Sequence, residues 1–190
     1  MRNLAIVGGF AAGKTTLSDG LVQQEYTRVS FARYLKEIAE DVYNGGEPIG
    51  KTQNFDTYTL AGEYREISGR QLLQELGQAV KAMDRNFWIR SLFNELNAGW
   101  HGDGPWVIDD CRFPYEADAL RDADFSIVKL EVPVDTRIRR YEKAYGRYPT
   151  PAELVHPSEI ELVGIIPDII IDGEKSPGEI LRDVFEYAVS

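Results

Sequence analysis

Two kinds of hydrophobic pattern alternate along the chain. Short continuous apolar runs bounded by glycine or proline are typical of strands buried in a parallel sheet, whereas apolar residues spaced three and four positions apart are typical of helices packed on one side. The first pattern predicts strands over residues 3–7, 105–110, 125–132 and 167–172, and a further strand is predicted over residues 26–30, where the pattern is weak. The second predicts helices over residues 15–24, 31–43, 68–83, 85–97, 135–147 and 180–188.

The order of these elements predicts the fold class. Strands and helices alternate, with a long helical insertion after the second strand, so we expect an α/β fold: a three-layer α/β/α sandwich around a five-stranded parallel sheet. Residues 47–66 show no legible period, and we expect an irregular connection there. No linker separates independent folding units. The sequence therefore predicts one domain over residues 1–190, with a helical region at 31–98 and a lid at 135–160.

Composition and charge restrict the function. The chain has 190 residues, 43% of them hydrophobic, and its 31 acidic residues outnumber 21 lysines and arginines, for a formal net charge of −10. This balance argues against binding to a nucleic-acid polymer or a membrane surface, and any anionic ligand would need a local cluster of cations. A single cysteine excludes an internal disulfide, and no signal peptide or membrane-length apolar run is visible. We expect a cytoplasmic protein.

Residues 8–15, with the sequence GGFAAGKT, follow the first predicted strand and open the first predicted helix. They fit the phosphate-binding P-loop pattern G-x-x-x-x-G-K-[ST] in the context that this pattern requires. Backbone N–H groups of such a loop surround a polyphosphate, Lys14 reaches the β and γ phosphates, and the Thr15 hydroxyl binds Mg²⁺. The pattern therefore predicts a site for ATP and Mg²⁺ formed by Gly9, Ala11, Ala12, Gly13, Lys14, Thr15 and Thr16.

A second segment that carries candidate functional residues is the predicted strand at 105–110, which ends in Asp109 and Asp110. An apolar strand that runs into an aspartate is the Walker B pattern, in which the carboxylate orients the metal or its water. The alternative is a solvated turn. We assign Asp110 to the metal and to catalysis, and leave open whether Asp109 serves instead. Arg112 follows at the strand end, where open α/β sheets bind ligands, and we predict that it is catalytic and lies beside the transferred phosphoryl group.

Cations are concentrated in one part of this acidic chain, between residues 137 and 147. Five lysines and arginines lie there, and Arg137 and Arg140 are at helical spacing. An ordinary solvated helix face would explain them. The alternative is that Arg137 and Arg140 present planar donors to a transferring phosphoryl group, because phosphoryl transfer needs more positive charge than one lysine. We therefore predict that both are catalytic.

Further blocks carry a resemblance that spans nearly the whole chain: SFA at 30–32 with Leu35 and Lys36, GRQLLQELG at 69–77 with Asp84 and Trp88, DCRFPYE at 110–116, and HPSE at 156–159. With its P-loop, the chain resembles bacteriophage deoxynucleoside monophosphate kinases, which are P-loop kinases related in fold to adenylate kinase. It departs from them at Arg33-Tyr34, where an acidic or small residue followed by proline is expected, and this departure bears on base preference.

The resemblance implies transfer of the γ-phosphoryl group of ATP to a deoxynucleoside monophosphate (dNMP). It implies that Arg70, with Lys36 or Arg33, binds the acceptor phosphate, and that Gly173 lies beside the adenine of ATP. Trp88 would stack on the acceptor base, although an aromatic residue at helical spacing is more often core. Arg70 has a structural alternative too, as a helix cap or a partner of Glu75.

Two other functions stay open at this point: a small-molecule kinase of the same fold, of the phosphomevalonate or dephospho-coenzyme A type, and a P-loop switch that binds nucleotide without transferring phosphate. Against the switch, the chain has no N-K-x-D sequence for guanine. The expected partners are the small-molecule nucleotides ATP and dNMP, with no nucleic-acid polymer and no membrane. A homodimer is left open, and the cytoplasm would be that of a host if the chain came from a phage.

Overall fold

A computed structural model describes residues 1–59, 61–150, 154 and 161–190. The chain divides into two compact units, and each is described by itself. Unit 1 consists of Met1–Ser30 and Gly99–Ser190, and unit 2 consists of Phe31–Ala98.

In chain order the strands are β1 (Asn3–Val7), β2 (Thr27–Val29), β3 (Asn54–Tyr58), β4 (Tyr64–Ser68), β5 (Trp106–Ile108), β6 (Phe125–Glu131) and β7 (Ile169–Asp172). The α-helices among the described residues are α1 (Lys14–Val22), α2 (Arg33–Asn44), α3 (Gly69–Met83), α4 (Phe87–Asn97), α5 (Pro114–Asp122), α6 (Val134–Tyr145) and α7 (Pro177–Val189). A short 3₁₀ helix spans Glu161–Gly164.

Unit 1 is built on a five-stranded sheet in the order β2-β5-β1-β6-β7, and every neighbouring pair is parallel. The central strand β1 pairs with β5 through Leu4 opposite Val107 and with β6 through Val7 opposite Lys129. Strands β1, β5 and β6 are short apolar runs because both of their faces are covered. The predicted five-stranded parallel α/β fold is confirmed.

The main hydrophobic cluster of unit 1 lies where the sheet packs against α1 and α7. Leu4 and Ile6 of β1 and Leu21 of α1 are fully buried. Helix α7 contributes Ile180, Val184 and Ala188, and it begins with a capping box in which the Ser176 hydroxyl accepts a hydrogen bond from the Glu179 N–H. This core fixes the sheet and, with it, the loops at the ends of the strands.

Unit 2 combines three helices with a β-hairpin. Strands β3 and β4 pair antiparallel, with Phe55 opposite Ile67, and both side chains pack on Leu72 of α3. The predicted capping box at the start of α3 is present, because the Ser68 hydroxyl accepts from the Gln71 N–H. The expectation of an irregular connection over residues 47–66 is wrong, since the hairpin occupies much of it.

Among the described helices, none combines the length and the apolar character that crossing a membrane requires.

Two glycines near the start of α7 give opposite predictions for the substitution of glycine by alanine. A Cβ at Gly173 would lie 2.3 Å from Cγ2 of Val132 and 3.2 Å from the Glu131 carbonyl oxygen, whereas a Cβ at Gly178 would meet nothing within 4 Å. We expect Gly173→Ala to lower the free energy of unfolding by about 1–3 kcal/mol through overpacking. Gly178→Ala should raise it by about 0.5 kcal/mol through the entropy of the unfolded chain. Urea unfolding of both variants tests this, and equal effects would contradict it.

Candidate active site

The site is formed where three neighbouring strands end. The P-loop follows β1, Asp109 and Asp110 follow β5, and α6 follows β6. Because β5 and β6 flank β1 on opposite sides in parallel register, these three segments leave the sheet at the same edge. Ligands of open α/β sheets bind outside the carboxyl ends of strands at such a position.

Backbone geometry explains the first glycine of the P-loop. Gly8 has φ +155°, and a Cβ there would lie 2.9 Å from the carbonyl oxygen of Leu130 in β6. Gly13, at φ +100°, precedes the first residue of α1. Both positions need a backbone conformation that favours glycine, and the loop can then open towards an anion at the N-terminus of α1.

The Lys14 side chain folds back over this loop. Its ammonium group donates hydrogen bonds to the carbonyl oxygens of Gly8 at 2.7 Å and Gly9 at 3.0 Å. The charge predicted to face the β and γ phosphates therefore lies against the loop that would bind them.

Thr15 and Asp110 both influence Asp109. The Thr15 hydroxyl is close enough to lower the pKa of the Asp109 carboxyl, and Asp110 accepts a hydrogen bond from the Ser30 hydroxyl at 2.7 Å. Burial raises the pKa of Asp109, and the nearby Asp110 raises it further, against the opposing attraction of Arg28 and Lys14. The geometry thus favours Asp109 over the sequence choice, Asp110, as the partner of Thr15.

Arg28 is a residue of this site that the sequence analysis missed. Its Nε donates to the hydroxyl of the buried Ser18 at 2.6 Å, and the guanidinium pairs with Asp19 at 2.6 Å. Its positive charge is the strongest influence opposing the rise in the pKa of Asp109. No signal in the sequence distinguishes Arg28, because its role depends on the pairing of β2 with β5.

Arg112 is exposed, and a buried carboxylate fixes its backbone. Glu116 is 4% exposed and accepts hydrogen bonds from the N–H groups of Arg112 at 2.9 Å and Phe113 at 3.2 Å. Pro114 as the first residue of α5, with Glu116 two residues later, is the sequence signal that could have identified this arrangement. The interaction orients the turn that carries Arg112.

Arg140 joins two loops of the site. Its guanidinium donates to the carbonyl oxygen of Ala12 in the P-loop at 3.3 Å and to that of Gly173, after β7, at 2.8 Å. These two hydrogen bonds connect the P-loop to the turn that follows β7. Gly173 therefore lies close to the P-loop, as its predicted position beside ATP requires.

Arg137 contacts the P-loop at the side chain of Phe10. Its guanidinium carbon is 4.7 Å from the centroid of the Phe10 ring, a cation–π contact. The structure thus brings Arg137 and Arg140 to the same loop as Lys14. The lid predicted at 135–160 lies partly outside the described residues, and the HPSE block at 156–159 lies wholly outside them.

The four predicted acceptor residues lie in unit 2. Arg33 pairs with Glu37 at 2.8 Å and with the buried Glu95 at 3.2 Å, and Lys36 is exposed. Arg70 is in the first turn of α3, and Glu75 pairs with Arg65 instead. Trp88 is 4% exposed and donates to the Gly77 carbonyl oxygen at 3.4 Å, as a core residue would. The roles of all four remain predictions.

The donor set fits Mg²⁺ bound together with a nucleotide. Magnesium in such sites uses one or two protein oxygens, with water and phosphate oxygens completing an octahedron. Thr15 and Asp109 provide a hydroxyl and a carboxylate that lie near each other. In the described part of the chain no cluster of three or more acidic, histidine or cysteine side chains forms a cage for a metal without nucleotide.

The raised pKa of Asp109 predicts that replacing this residue raises the stability of the protein and lowers its activity. Because this carboxyl holds its proton more tightly in the folded than in the unfolded chain, its ionisation lowers stability as the pH rises through its native pKa. Asp109→Asn, which keeps the shape of the side chain and removes its titration, should therefore raise the melting temperature at neutral pH. This gain should shrink towards acid pH, while kcat falls about 100-fold. A gain that grows on acidification would contradict this prediction.

Comparison with known proteins bears on the fold. No family model matches the sequence, and no curated protein sequence matches it. Among solved structures, the chain is similar to a sugar kinase from Janibacter sp. (16% identity, TM-score 0.57, covering 98% of this chain and 94% of that one). It is similar to a shikimate kinase from Aquifex aeolicus (14%, 0.57, 97% and 94%) and to a gluconokinase from Sinorhizobium meliloti (14%, 0.54, 99% and 94%). These similarities show that the chain has the α/β fold of these kinases.

Proposed function

We propose that this protein is a deoxynucleoside monophosphate kinase that transfers the γ-phosphoryl group of ATP to a dNMP. The observation that carries the proposal is the gathering of Lys14, Arg137 and Arg140 on one P-loop, next to the Thr15–Asp109 pair. Such a loop binds a polyphosphate, and the fold neighbours are named as kinases. The choice of a dNMP rests on the sequence blocks around Arg70 and Asp110.

The reaction needs little from the protein beyond alignment and positive charge. An oxygen of the acceptor phosphate attacks the γ-phosphorus, the bond from that phosphorus to the β-bridging oxygen breaks, and ADP and a dNDP result. No general base is required, because the attacking oxygen is already anionic. Two unit charges about 4 Å apart at an effective dielectric near 20 interact by about 4 kcal/mol, so cations must offset the repulsion between donor and acceptor.

We assign the roles as follows. The P-loop amides and Lys14 bind the β and γ phosphates, and Arg137 stabilises the transferred group. Arg140 holds the loop in shape through Ala12 and Gly173. Thr15 and Asp109 bind Mg²⁺, which neutralises charge on the phosphates when bound. Arg112 stays assigned to the transferred group, and Asp110 is assigned to orienting Ser30 beside the metal site.

For the acceptor phosphate, we propose Arg70 as the main ligand, with Lys36. Glu75, the competing partner considered for Arg70, is bound to Arg65. Arg33 is held by two carboxylates, which makes it a weaker candidate. Because Trp88 is buried, an exposed aromatic residue of the hairpin, Tyr58 or Tyr64, is the better candidate for stacking on the base.

A second candidate follows from the names of the fold neighbours. Three of them are kinases of non-nucleotide small molecules, a sugar, shikimate and gluconate by name. The same P-loop would serve such an acceptor. The two proposals differ only in the acceptor, so measuring which acceptor is phosphorylated decides between them.

An acceptor panel tests the function. With MgATP we expect ADP release to rise at least tenfold on addition of one or more of dAMP, dGMP, dCMP and dTMP, with formation of the matching dNDP, because charge on the acceptor is matched by the cations of the site. Lys14→Ala should abolish the response while keeping the melting temperature of the wild type. Turnover with a sugar or sugar acid and with no dNMP would favour the second candidate. ATP hydrolysis indifferent to every acceptor would favour a switch.

Arg70→Ala tests the acceptor side separately. Loss of one charge-assisted contact should raise the KM for dNMP about tenfold or more and leave the KM for ATP within about twofold. Arg65→Ala is the matched control, because it removes an arginine of the same unit that is paired with Glu75. Steady-state kinetics with each substrate varied measures both. If Arg70→Ala and Arg65→Ala changed the KM for dNMP equally, the assignment of Arg70 would be contradicted.

A further inference from the structure

We propose that Phe10 is a positioning residue that holds the Arg137 guanidinium at the phosphate loop for phosphoryl transfer. This inference rests on the proposed kinase function and adds to it a residue that the P-loop pattern leaves unspecified, since the third position of the motif accepts any side chain. The contacts of Phe10 suggest a specific task for it.

The Phe10 ring is in contact with α6 on two sides. The guanidinium carbon of Arg137 lies 4.7 Å from its centroid, and the Tyr141 ring meets it edge to face, with centroids 6.0 Å apart and planes at 80°. Tyr141 is 5% exposed and is the buried residue of α6. The ring is therefore held by a buried aromatic neighbour while its face contacts a cation.

The position of Phe10 links Arg137 to Lys14. Gly9, the residue before Phe10, provides a carbonyl oxygen that accepts from the Lys14 ammonium at 3.0 Å. One turn along α6 from Arg137, Arg140 is hydrogen bonded to Ala12, two residues after Phe10. Arg140 thus fixes the helix against the loop, and the contact with the Phe10 ring restricts the guanidinium of Arg137.

An aromatic ring suits this task better than a carboxylate would. A carboxylate at residue 10 would attract Arg137 but would also repel the phosphates that the loop binds. An aromatic face attracts a cation through its quadrupole and adds no negative charge. Phe10 can therefore hold Arg137 at the loop without competing with the nucleotide for its charge.

Substitutions at Phe10 and Arg137 test the proposal. Phe10→Leu keeps an apolar contact for Tyr141 but removes the aromatic face, whereas Phe10→Tyr keeps it. We expect Phe10→Leu to lower kcat about tenfold with the KM for ATP within about twofold, and Phe10→Tyr to keep at least about half of kcat. Arg137→Ala should lower kcat further, and Phe10→Leu should have no additional effect in that background.

The control is a cation–π pair of the same unit that is assigned to no site. Arg2 lies 5.0 Å from the centroid of the Tyr187 ring in α7, and Tyr187→Leu should leave kcat unchanged. Wild-type kcat in Phe10→Leu would overturn the proposal. Equal losses in the leucine and tyrosine variants of Phe10, or losses that multiply in the double variant, would also overturn it.

A binding measurement separates this inference from the proposed function. If the wild type turned over no acceptor, the kinase proposal would fail, and calorimetric titration with ADP and aluminium fluoride, a mimic of the transferring phosphoryl group, would still test Phe10. Phe10→Leu and Arg137→Ala should each weaken binding of this complex about tenfold and leave binding of ADP alone unchanged, and the double variant should match Arg137→Ala. Unchanged binding in Phe10→Leu, or independent effects, would overturn the inference.

Discussion

The parallel pairing of β1 with β5 on one side and β6 on the other is the constraint on which the site depends. It brings the P-loop, the aspartate pair and the start of α6 to one edge of the sheet, although the P-loop at residues 8–15 is far in sequence from Asp109 and from Val134, where α6 begins. The pairing is secured by a core in which Leu4, Ile6 and Val128 are fully buried. A shift of β1 by one residue would exchange the two buried faces that Leu4 and Ile6 occupy, disrupt their packing, and displace the P-loop relative to Asp109.

The protein holds its cations at this edge in two ways. Lys14 and Arg140 donate to backbone carbonyl oxygens, and Arg137 lies on an aromatic ring. By contrast, Arg28 and Arg33 are paired with carboxylates. Carbonyl and ring contacts orient a cation through partial charges, so these contacts compete less with phosphate than a contact with a carboxylate does. In a chain of net charge −10 this arrangement concentrates attraction for polyphosphate at one loop.

Much of this could be predicted from the sequence, because the signals are local. Apolar runs predict four of the five strands of the sheet, β2 being predicted from a weak pattern, and the capping box at Ser68 and Gln71 predicts the start of α3. The hairpin of unit 2 was missed although residues 54–58 alternate between exposed and buried, because the turn and charged residues around them obscure a short period of two. The contacts of Asp109 with Thr15 and of Phe10 with Arg137 could not be predicted, since they depend on which strands are neighbours. The effect of Arg28 on the pKa of Asp109 could not be predicted from the sequence either, because it depends on the pairing of β2 with β5.

The most direct test of the central claim is a crystal structure with a bisubstrate analogue, in which adenosine and a deoxynucleoside are joined through a polyphosphate, in the presence of Mg²⁺. The account predicts that Lys14 and Arg137 contact the bridging phosphates, that Thr15 and Asp109 lie in the coordination sphere of the metal, and that Arg140 keeps its bonds to Ala12 and Gly173. Binding of the analogue away from the P-loop, or bridging phosphates that contact neither Lys14 nor Arg137, would contradict it.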